Sequence, residues 1–289
     1  MRLFLVPVST RRTLIYCQRI NQVTSEKPTL VDRATGRANG IWRKWEKSER
    51  GWQKKVVDYG NKVFERISFA EWGLKSIPPL SARRRAEELS GKEKVDVIYP
   101  ENIVRSSSLN DLLRKLATER QPLHRKRMWG SMAAMPITLP VGLIPIIPNL
   151  PFLYLVFRAW SHWRALSGSK HLEFLHANSL ITLTPSSVLS TLYASPLPVP
   201  SPSTPSDPPQ YNLPQPDPPS STAEPERIIL HHPLPKDVFA DTFDVPELGM
   251  EIERAIRQVE RKMAAAQELE SEKKDIRAAT GEEWQDPKR

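Results

Sequence analysis

The sequence predicts a mainly α-helical, membrane-associated protein with a short two-stranded element and a disordered proline-rich linker. Residues 128–157 are thirty consecutive positions without a charged side chain, and about 20 apolar residues suffice to cross a bilayer. Apolar residues recur at helical spacing on both sides of this run. Residues 185–225 contain thirteen prolines, a composition that buries too little apolar surface to fold.

The uncharged run is not expected to be one smooth helix, because prolines interrupt it. Each proline removes a backbone donor and clashes with the preceding turn. Broken backbone at membrane depth is tolerated where neighbouring protein or water satisfies the freed carbonyls. We therefore expect a single broken span or a re-entrant segment in contact with protein. The alternative is a buried helix pair or an apolar loop in a soluble domain. The prolines are Pro136, Pro140, Pro145, Pro148 and Pro151.

Basic and aromatic side chains flank the uncharged run on both sides, a pattern typical of membrane interfaces. Among the flanking residues that follow the run, His162 is the one whose ordinary pKa lies near neutrality, so it is a candidate pH sensor. We expect the flanking residues to bind anionic headgroups or the acidic surface of a partner; plain anchoring is the alternative. They are Arg125, Lys126, Arg127, Arg158, Trp160, His162, Trp163 and Arg164.

Charge and composition divide the chain into four predicted regions. Residues 1–127 carry 28 Lys and Arg against 14 Asp and Glu, and we predict a basic, mainly helical, matrix-side region. Residues 128–184 contain the broken membrane segment and the following helix, 185–235 the linker, and 236–289 an acidic region with a C-terminal helix. Glu26 is the first acidic residue of the chain, and several arginines precede it. This composition is typical of a mitochondrial targeting sequence.

Local patterns predict several elements within these regions. Arg2 to Val8 is expected to be a strand that can pair with a second strand at Val95 to Tyr99, and a helix is expected through Leu14. Glycine 168 is expected to break the helix that follows the uncharged run. Further helices are predicted over 41–75 and 83–89, from Ser106, and beyond Pro246.

Motifs that would indicate an enzyme or a cofactor are missing from the sequence. It contains no G-x-G-x-x-G, no Walker phosphate loop, no H-E-x-x-H and no G-x-S-x-G. Cys17 is the single cysteine, which excludes an intrachain disulfide and a cysteine zinc cluster. His171 and His176 are five positions apart, so a helix would turn their rings about 140° from each other. We therefore predict no catalytic residues, no cofactor and no metal site.

Four blocks of the sequence resemble the fungal mitochondrial potassium–proton exchange-related family. They are RLFLVPVSTRRTLIYCQ, WEKSERGWQKKVVDYGNKVFERISFAEWGLKSIPPLS, IPNLPFLYLVFRAWSHWRAL and PELGMEIERAIRQVE. The blocks follow one another in order across nearly the whole chain, with the proline-rich segment between the third and the fourth. The resemblance implies a protein of the mitochondrial inner membrane that belongs to, or supports, the exchange machinery.

The residues restrict that implied function to a subunit or regulator of potassium–proton exchange. Intramembrane carboxylates mark ion pathways, and residues 128–157 contain none. We expect inner-membrane lipids and the proteins of a multiprotein exchange complex as partners, without a small-molecule substrate. The alternative is a basic matrix protein that binds RNA or the ribosome, with Trp42, Trp45 and Trp52 as a stacking platform. Nucleic acid is the less favoured partner, since no RNA-binding motif is present.

Overall fold

The computed structural model describes residues 1–18, 37, 40, 44–45, 51–91, 94–138, 140, 149–193, 226–230, 243 and 245–280. The strands are β1 Arg2–Pro7, β2 Thr13–Gln18, β3 Val95–Tyr99 and β4 Ile181–Pro185. The helices in these ranges are α1 Trp52–Glu65, α2 Phe69–Ser76, α3 Ala82–Leu89, α4 Ser106–Thr118, α5 Gln121–Thr138, α6 Leu150–Ala177, α7 Ser187–Thr191 and α8 Pro246–Thr280.

The four strands form one sheet in the order β2-β1-β3-β4. Strand β1 is apolar along almost its whole length, and Leu3, Phe4 and Leu5 are fully buried. A continuous apolar run of this kind is typical of a strand covered on both faces. β1 pairs in parallel with β3, with Leu3 opposite Val97, so the predicted pairing of these two strands is confirmed.

The predicted fold class is wrong in its strand content. A two-stranded element was expected, whereas the sheet has four strands. The segment Thr13–Gln18, predicted as helix through Leu14, is strand β2. Its sequence TLIYCQ is rich in β-branched and aromatic residues, which pack well on a pleated surface. Parallel strands need a long crossover, so the short link from β1 to the neighbouring β2 makes these strands a hairpin.

The predicted fold class is also wrong in expecting a membrane-spanning segment in the described part of the chain. Among the described residues, no helix combines the length and the apolar character needed to span a bilayer. The uncharged run is divided between two helices: residues 128–138 end α5 and residues 150–157 begin α6. Both helices also contain charged or polar turns, such as the QPLHRKR that opens α5. Residues 139 and 141–148 lie outside the described part of the chain.

The chain forms two compact units, of which the first comprises residues 1–4, 15–98 and 109–184. Helices α5 and α6 pack side by side, and α2 packs on α6. Asn149 caps α6 by accepting a hydrogen bond from the Phe152 amide at 3.0 Å, and Pro151 suits the first turn of the helix. The side-chain amide of Asn149 donates from Nδ2 to the Thr138 carbonyl oxygen at 2.6 Å, which joins the end of α5 to the start of α6.

Gly168 does not break α6, contrary to the prediction, and the helix continues to Ala177. A Cβ atom at Gly168 would overlap the carbonyl oxygen of Leu74 on α2. The glycine is therefore needed for the close approach of two helices rather than for a helix end. Gly73 on α2 meets the carbonyl oxygen of Ile15 in the same way. Helix α2 is thus held tightly from two sides.

The second unit comprises residues 5–14, 99–108 and 185–289. The turn after β1 contacts the segment 226–230, with a hydrogen bond from Ser9 Oγ to Glu226 Oε1 at 2.5 Å and a 3.3 Å ion pair between Arg12 and Glu226. Helix α8 lies where the last helix was predicted, and its fully buried side chains follow helical spacing: Leu248, Ile252, Ala255, Ile256 and Val259. Within the predicted linker, Ser187–Thr191 form helix α7 and Leu189 is fully buried, so the prediction of disorder is wrong there. Residues 194–225 and 231–235 lie outside the described residues. The division into four regions stays a prediction.

Candidate functional site: a buried polar cluster

Five polar side chains meet in the interior of the first unit, where α2, α5 and α6 pack together. We call Glu71, His124, Arg158, Ser161 and His162 the buried polar cluster. Glu71, His124 and His162 are each 2% exposed and Ser161 is fully buried. Residues 158, 161 and 162 share one face of α6 because residues three and four apart are neighbours on a helix. The pairing of α5 with α6 brings His124 opposite His162.

The Glu71 carboxylate is held by two partners on α6. Arg158 donates from Nη1 to Oε1 at 2.9 Å and from Nη2 to Oε2 at 3.3 Å. Ser161 Oγ donates to Oε1 at 2.6 Å. Burial raises the pKa of Glu71, but the Ser161 hydrogen bond and the charge of Arg158 outweigh it, so that the pKa lies below its ordinary value. Glu71 is therefore ionised at neutral pH, and Arg158 balances its charge.

The two histidines are neutral at pH 7. Burial is the main reason that the pKa of His124 and that of His162 are each lowered to about 4. For His162 this places the titration below neutrality, although we expected a pH sensor near pH 7. Neutral imidazole has one donor and one acceptor nitrogen.

The hydrogen bonds assign the tautomers of both rings. Arg158 Nη2 can only donate, and it lies 2.9 Å from His162 Nε2, which must accept. The proton of His162 is therefore on Nδ1, which is 3.1 Å from His124 Nδ1 and 3.7 Å from Glu71 Oε2. His124 accepts at Nδ1 and carries its own proton on Nε2. That buried Nε2 atom has no hydrogen-bond partner in the described part of the chain.

A second charged group of α2, Lys75, lies among aromatic rings. Its Nζ atom is 3.7 Å from the ring centre of Trp72, 5.3 Å from that of Phe157 and 5.4 Å from that of Trp160. Cations are attracted to the faces of aromatic rings at such distances. Trp160, predicted at a membrane interface, is half-buried over this lysine.

The eight predicted site residues are separated by the structure into interior and surface groups. Arg158 and His162 belong to the buried polar cluster, and Trp160 contacts Lys75. Arg164 is half-buried, and its guanidinium donates to the Lys75 carbonyl oxygen at 3.4 Å. The remaining four are exposed on α5 and α6: Arg125, Lys126, Arg127 and Trp163.

The paired helices α5 and α6 expose several large apolar side chains. On α5, Trp129 is 60% and Ile137 77% exposed, and on α6 Leu153 is 53% exposed. With Met132, Tyr154 and Val156, which are also exposed, these six residues are called the apolar surface. A groove of about 490 Å³ adjoins it and is lined by Thr118, Gln121, Pro122, Arg125, Lys126, Trp129 and Glu173.

Sequence reasoning missed Glu71, His124 and Ser161. One signal could have found Glu71: it follows Ile67 by four positions and precedes Leu74 by three, so it lies on the apolar face of its helix. A charge at such a position needs a buried partner. Of the predicted RNA-stacking platform, only the Trp45 side chain belongs to the described residues.

Comparisons with known proteins identify the family of the chain. A family model described as mitochondrial K+–H+ exchange-related matches residues 2–176, which include the buried polar cluster. An uncharacterised protein of Schizosaccharomyces pombe is 28% identical over 169 residues, 58% of this chain and 72% of its own length. An uncharacterised protein of Saccharomyces cerevisiae is 25% identical over 203 residues, 62% of this chain, and the match spans 63% of the yeast protein. No solved structure matches. Because the family model covers more than half of the chain, the protein belongs to the mitochondrial K+–H+ exchange-related family.

Proposed function

We propose that this protein is a subunit or regulator of K+–H+ exchange at the mitochondrial inner membrane, and not the exchanger by itself. The family description supports the link to exchange and to mitochondria. The observation that carries the role of a subunit is the apolar surface on α5 and α6. Large exposed apolar patches rimmed by polar residues mark interaction sites.

The occupant of the apolar surface in this proposal is a protein of the exchange machinery with an acidic rim. Arg125, Lys126 and Arg127 are exposed on α5, and Arg125 and Lys126 line the groove that includes Trp129. Apolar anchors at the centre and complementary charges at the edge are typical of protein interfaces. Trp129 is the expected anchor, since tryptophan and arginine dominate binding energy at such sites.

The state of Glu71 supports an accessory role over that of an ion carrier. A carboxylate that carries ions must release and accept cations in each cycle. Both oxygens of Glu71 instead contact Arg158, and Ser161 also donates to one of them. Leaving one charge of such a buried ion pair without its partner costs about 3–5 kcal/mol, so Glu71 is expected to stay paired with Arg158. The proposal includes no enzymatic activity.

Potassium-driven swelling of isolated mitochondria tests the proposal. Mitochondria isolated from cells that lack the protein should swell slowly in potassium acetate, and expression of the wild-type chain should restore the swelling rate. The variant Trp129→Ser, Ile137→Ser should fail to restore it at equal abundance, because the partner no longer docks. The matched control Leu89→Ser, at an apolar residue 52% exposed on α3, should restore it.

Two outcomes would contradict the proposal. Full swelling with the Trp129 and Ile137 variant would remove the role of the apolar surface. Equal swelling with and without the protein would remove the link to exchange. If the variant instead loses binding to cardiolipin vesicles while it keeps its protein partner, the surface binds lipid, and the assignment of a protein occupant is wrong.

A further inference from the structure

We propose that Glu71, His124 and His162 form a binding site for one divalent transition-metal ion of the Zn2+ class. One ligand atom from each of the three residues lies within 4.8 Å of the others. The proposal departs from the sequence-based expectation of no metal site, which considered His171 and His176. Two histidines and a glutamate with an open fourth position are a known ligand set of zinc.

Two of the three distances between the ligand atoms fit a tetrahedral ion. His124 Nδ1 and His162 Nδ1 are 3.1 Å apart, and His162 Nδ1 and Glu71 Oε2 are 3.7 Å apart. Bonds of about 2.0–2.1 Å would give angles of about 100° and about 125° at the ion for these two pairs. These two values lie on either side of the tetrahedral angle, and the third pair of ligand atoms, from His124 and Glu71, lies within 4.8 Å.

The hydrogen bonds of the cluster leave one imidazole nitrogen available to a metal. Zinc binds neutral imidazole through a nitrogen that carries no proton. The ring of His124 has its proton on Nε2, as deduced above, so its Nδ1 lone pair can bind the ion. Coordination would replace the hydrogen bond between the two rings and the one from Arg158 to His162.

Arg158 is the group that competes with the metal. With the ion on Nδ1, neutral His162 must carry its proton on Nε2, where it faces the donor Arg158 Nη2 at 2.9 Å. Arg158 must then leave His162, and it can keep its 2.9 Å contact with Glu71 Oε1 while the ion takes Oε2. The guanidinium charge also repels the ion. Metal binding would therefore replace the contact between Arg158 and His162 by bonds from the ion to Glu71 on α2 and to His162 on α6.

Titration of the purified, chelator-treated chain with Zn2+ and Co2+ tests this proposal. We expect one site per chain and, with Co2+, the intense visible bands of tetrahedral coordination. His124→Gln and His162→Gln should each weaken binding at least 100-fold. Arg158→Gln should strengthen it at least tenfold, because the charge is removed and the new amide oxygen can accept from His162 Nε2.

Two controls separate this site from surface binding and from loss of folding. His176→Gln changes a half-buried histidine of the same helix and should bind like wild type. All variants are made in a background with His231→Gln and His232→Gln, which removes an adjacent histidine pair. If either cluster variant fails to fold, the Arg158→Gln titration still decides the question.

The result for Arg158→Gln also distinguishes the metal site from a purely structural cluster. Loss of the ion pair with Glu71 destabilises this variant in either case, and a purely structural role predicts that it binds no metal. The metal site predicts tighter binding and a rise in melting temperature on addition of Zn2+. The proposal is overturned if the wild-type chain binds no ion, or if binding is unchanged in both histidine variants.

Discussion

Substitution of Glu71 by Gln tests whether the ion pair between α2 and α6 holds the first unit together. The change keeps the shape of the side chain but removes its charge, so Arg158 keeps a buried positive charge without a counterion. The side chains of Glu71 and Arg158 are 3% and 13% exposed. Breaking a buried pair from one side costs about 3–5 kcal/mol, whereas an exposed pair contributes about 0.2–1 kcal/mol.

The control for this substitution is the same change in an exposed ion pair. Arg83 and Glu87 on α3 are joined at 2.7 Å, and their side chains are 57% and 39% exposed. Glu87→Gln should therefore lower the free energy of unfolding by less than about 1 kcal/mol. Urea unfolding, followed by circular dichroism at pH 7.5 with a chelator present, measures both variants under the same conditions.

A double variant separates the loss of the pair from the burial of an unpaired charge. Glu71→Leu with Arg158→Leu removes both charges, and well-packed apolar replacements of buried pairs are often neutral. We expect the double variant to recover most of the stability that Glu71→Gln loses. The reasoning is refuted if Glu71→Gln costs no more than Glu87→Gln, or if the double variant is less stable than the single one.

Two further predictions concern helix packing and acid stability. Gly168→Ala should lower the free energy of unfolding by several kcal/mol, because its Cβ would overlap the Leu74 carbonyl oxygen. The control Gly130→Ala on α5, where a Cβ would meet nothing within 4 Å, should raise the free energy of unfolding by up to about 1 kcal/mol. Urea unfolding compares the two variants, and equal effects would show that α2 and α6 are less tightly packed. The pKa values of His124 and His162 are lowered to about 4 in the folded state, so the unfolded chain binds their protons first and stability should fall from about pH 6.5 to about pH 4. In this range the free energy of unfolding should change by about 1.4 to 2.7 kcal/mol per pH unit. A variant with Gln at both histidine positions should lose less stability as the pH falls. An unchanged pH dependence in that variant would contradict the lowered pKa values of His124 and His162.

Elements with a clear local period could be predicted from the sequence. The strand at Val95–Tyr99 was predicted with the bounds that the structure shows, because its alternating β-branched residues end at Pro100. The helix Ala82–Leu89 was also predicted, and Ser81 caps it by accepting from the Arg84 amide at 3.2 Å. Such signals depend on neighbours in the chain, so no tertiary information is needed.

Strand β2 and the division of the uncharged run depend on tertiary context. Six residues of Thr13–Gln18 are too few to separate a strand from a helix by period alone, and the place beside β1 decides the outcome. A hydropathy count over residues 128–157 likewise cannot show that one part ends α5 and the other begins α6. Pro136 lies inside α5, contrary to the predicted interruption, and Pro151 lies in the first turn of α6. Pro145 and Pro148 lie outside the described part of the chain.

The buried polar cluster could be predicted only in part. Arg158 and His162 were singled out because they flank the uncharged run, which is local information. Their partners Glu71 and His124 lie 87 and 38 positions away along the chain, and no spacing rule connects residues so far apart. The residues were therefore assigned to a surface, whereas their charges and polar groups are satisfied in the interior.

Potassium-dependent proton flux in reconstituted vesicles tests the central claim most directly. Inner-membrane proteins are solubilised from mitochondria that lack this chain and are reconstituted with or without the purified chain, and the chain is also reconstituted alone. A subunit or regulator predicts that flux in the extract rises when the chain is added and that vesicles with the chain alone match empty vesicles. Full flux from the chain alone, or no change on adding it to the extract, would contradict the account.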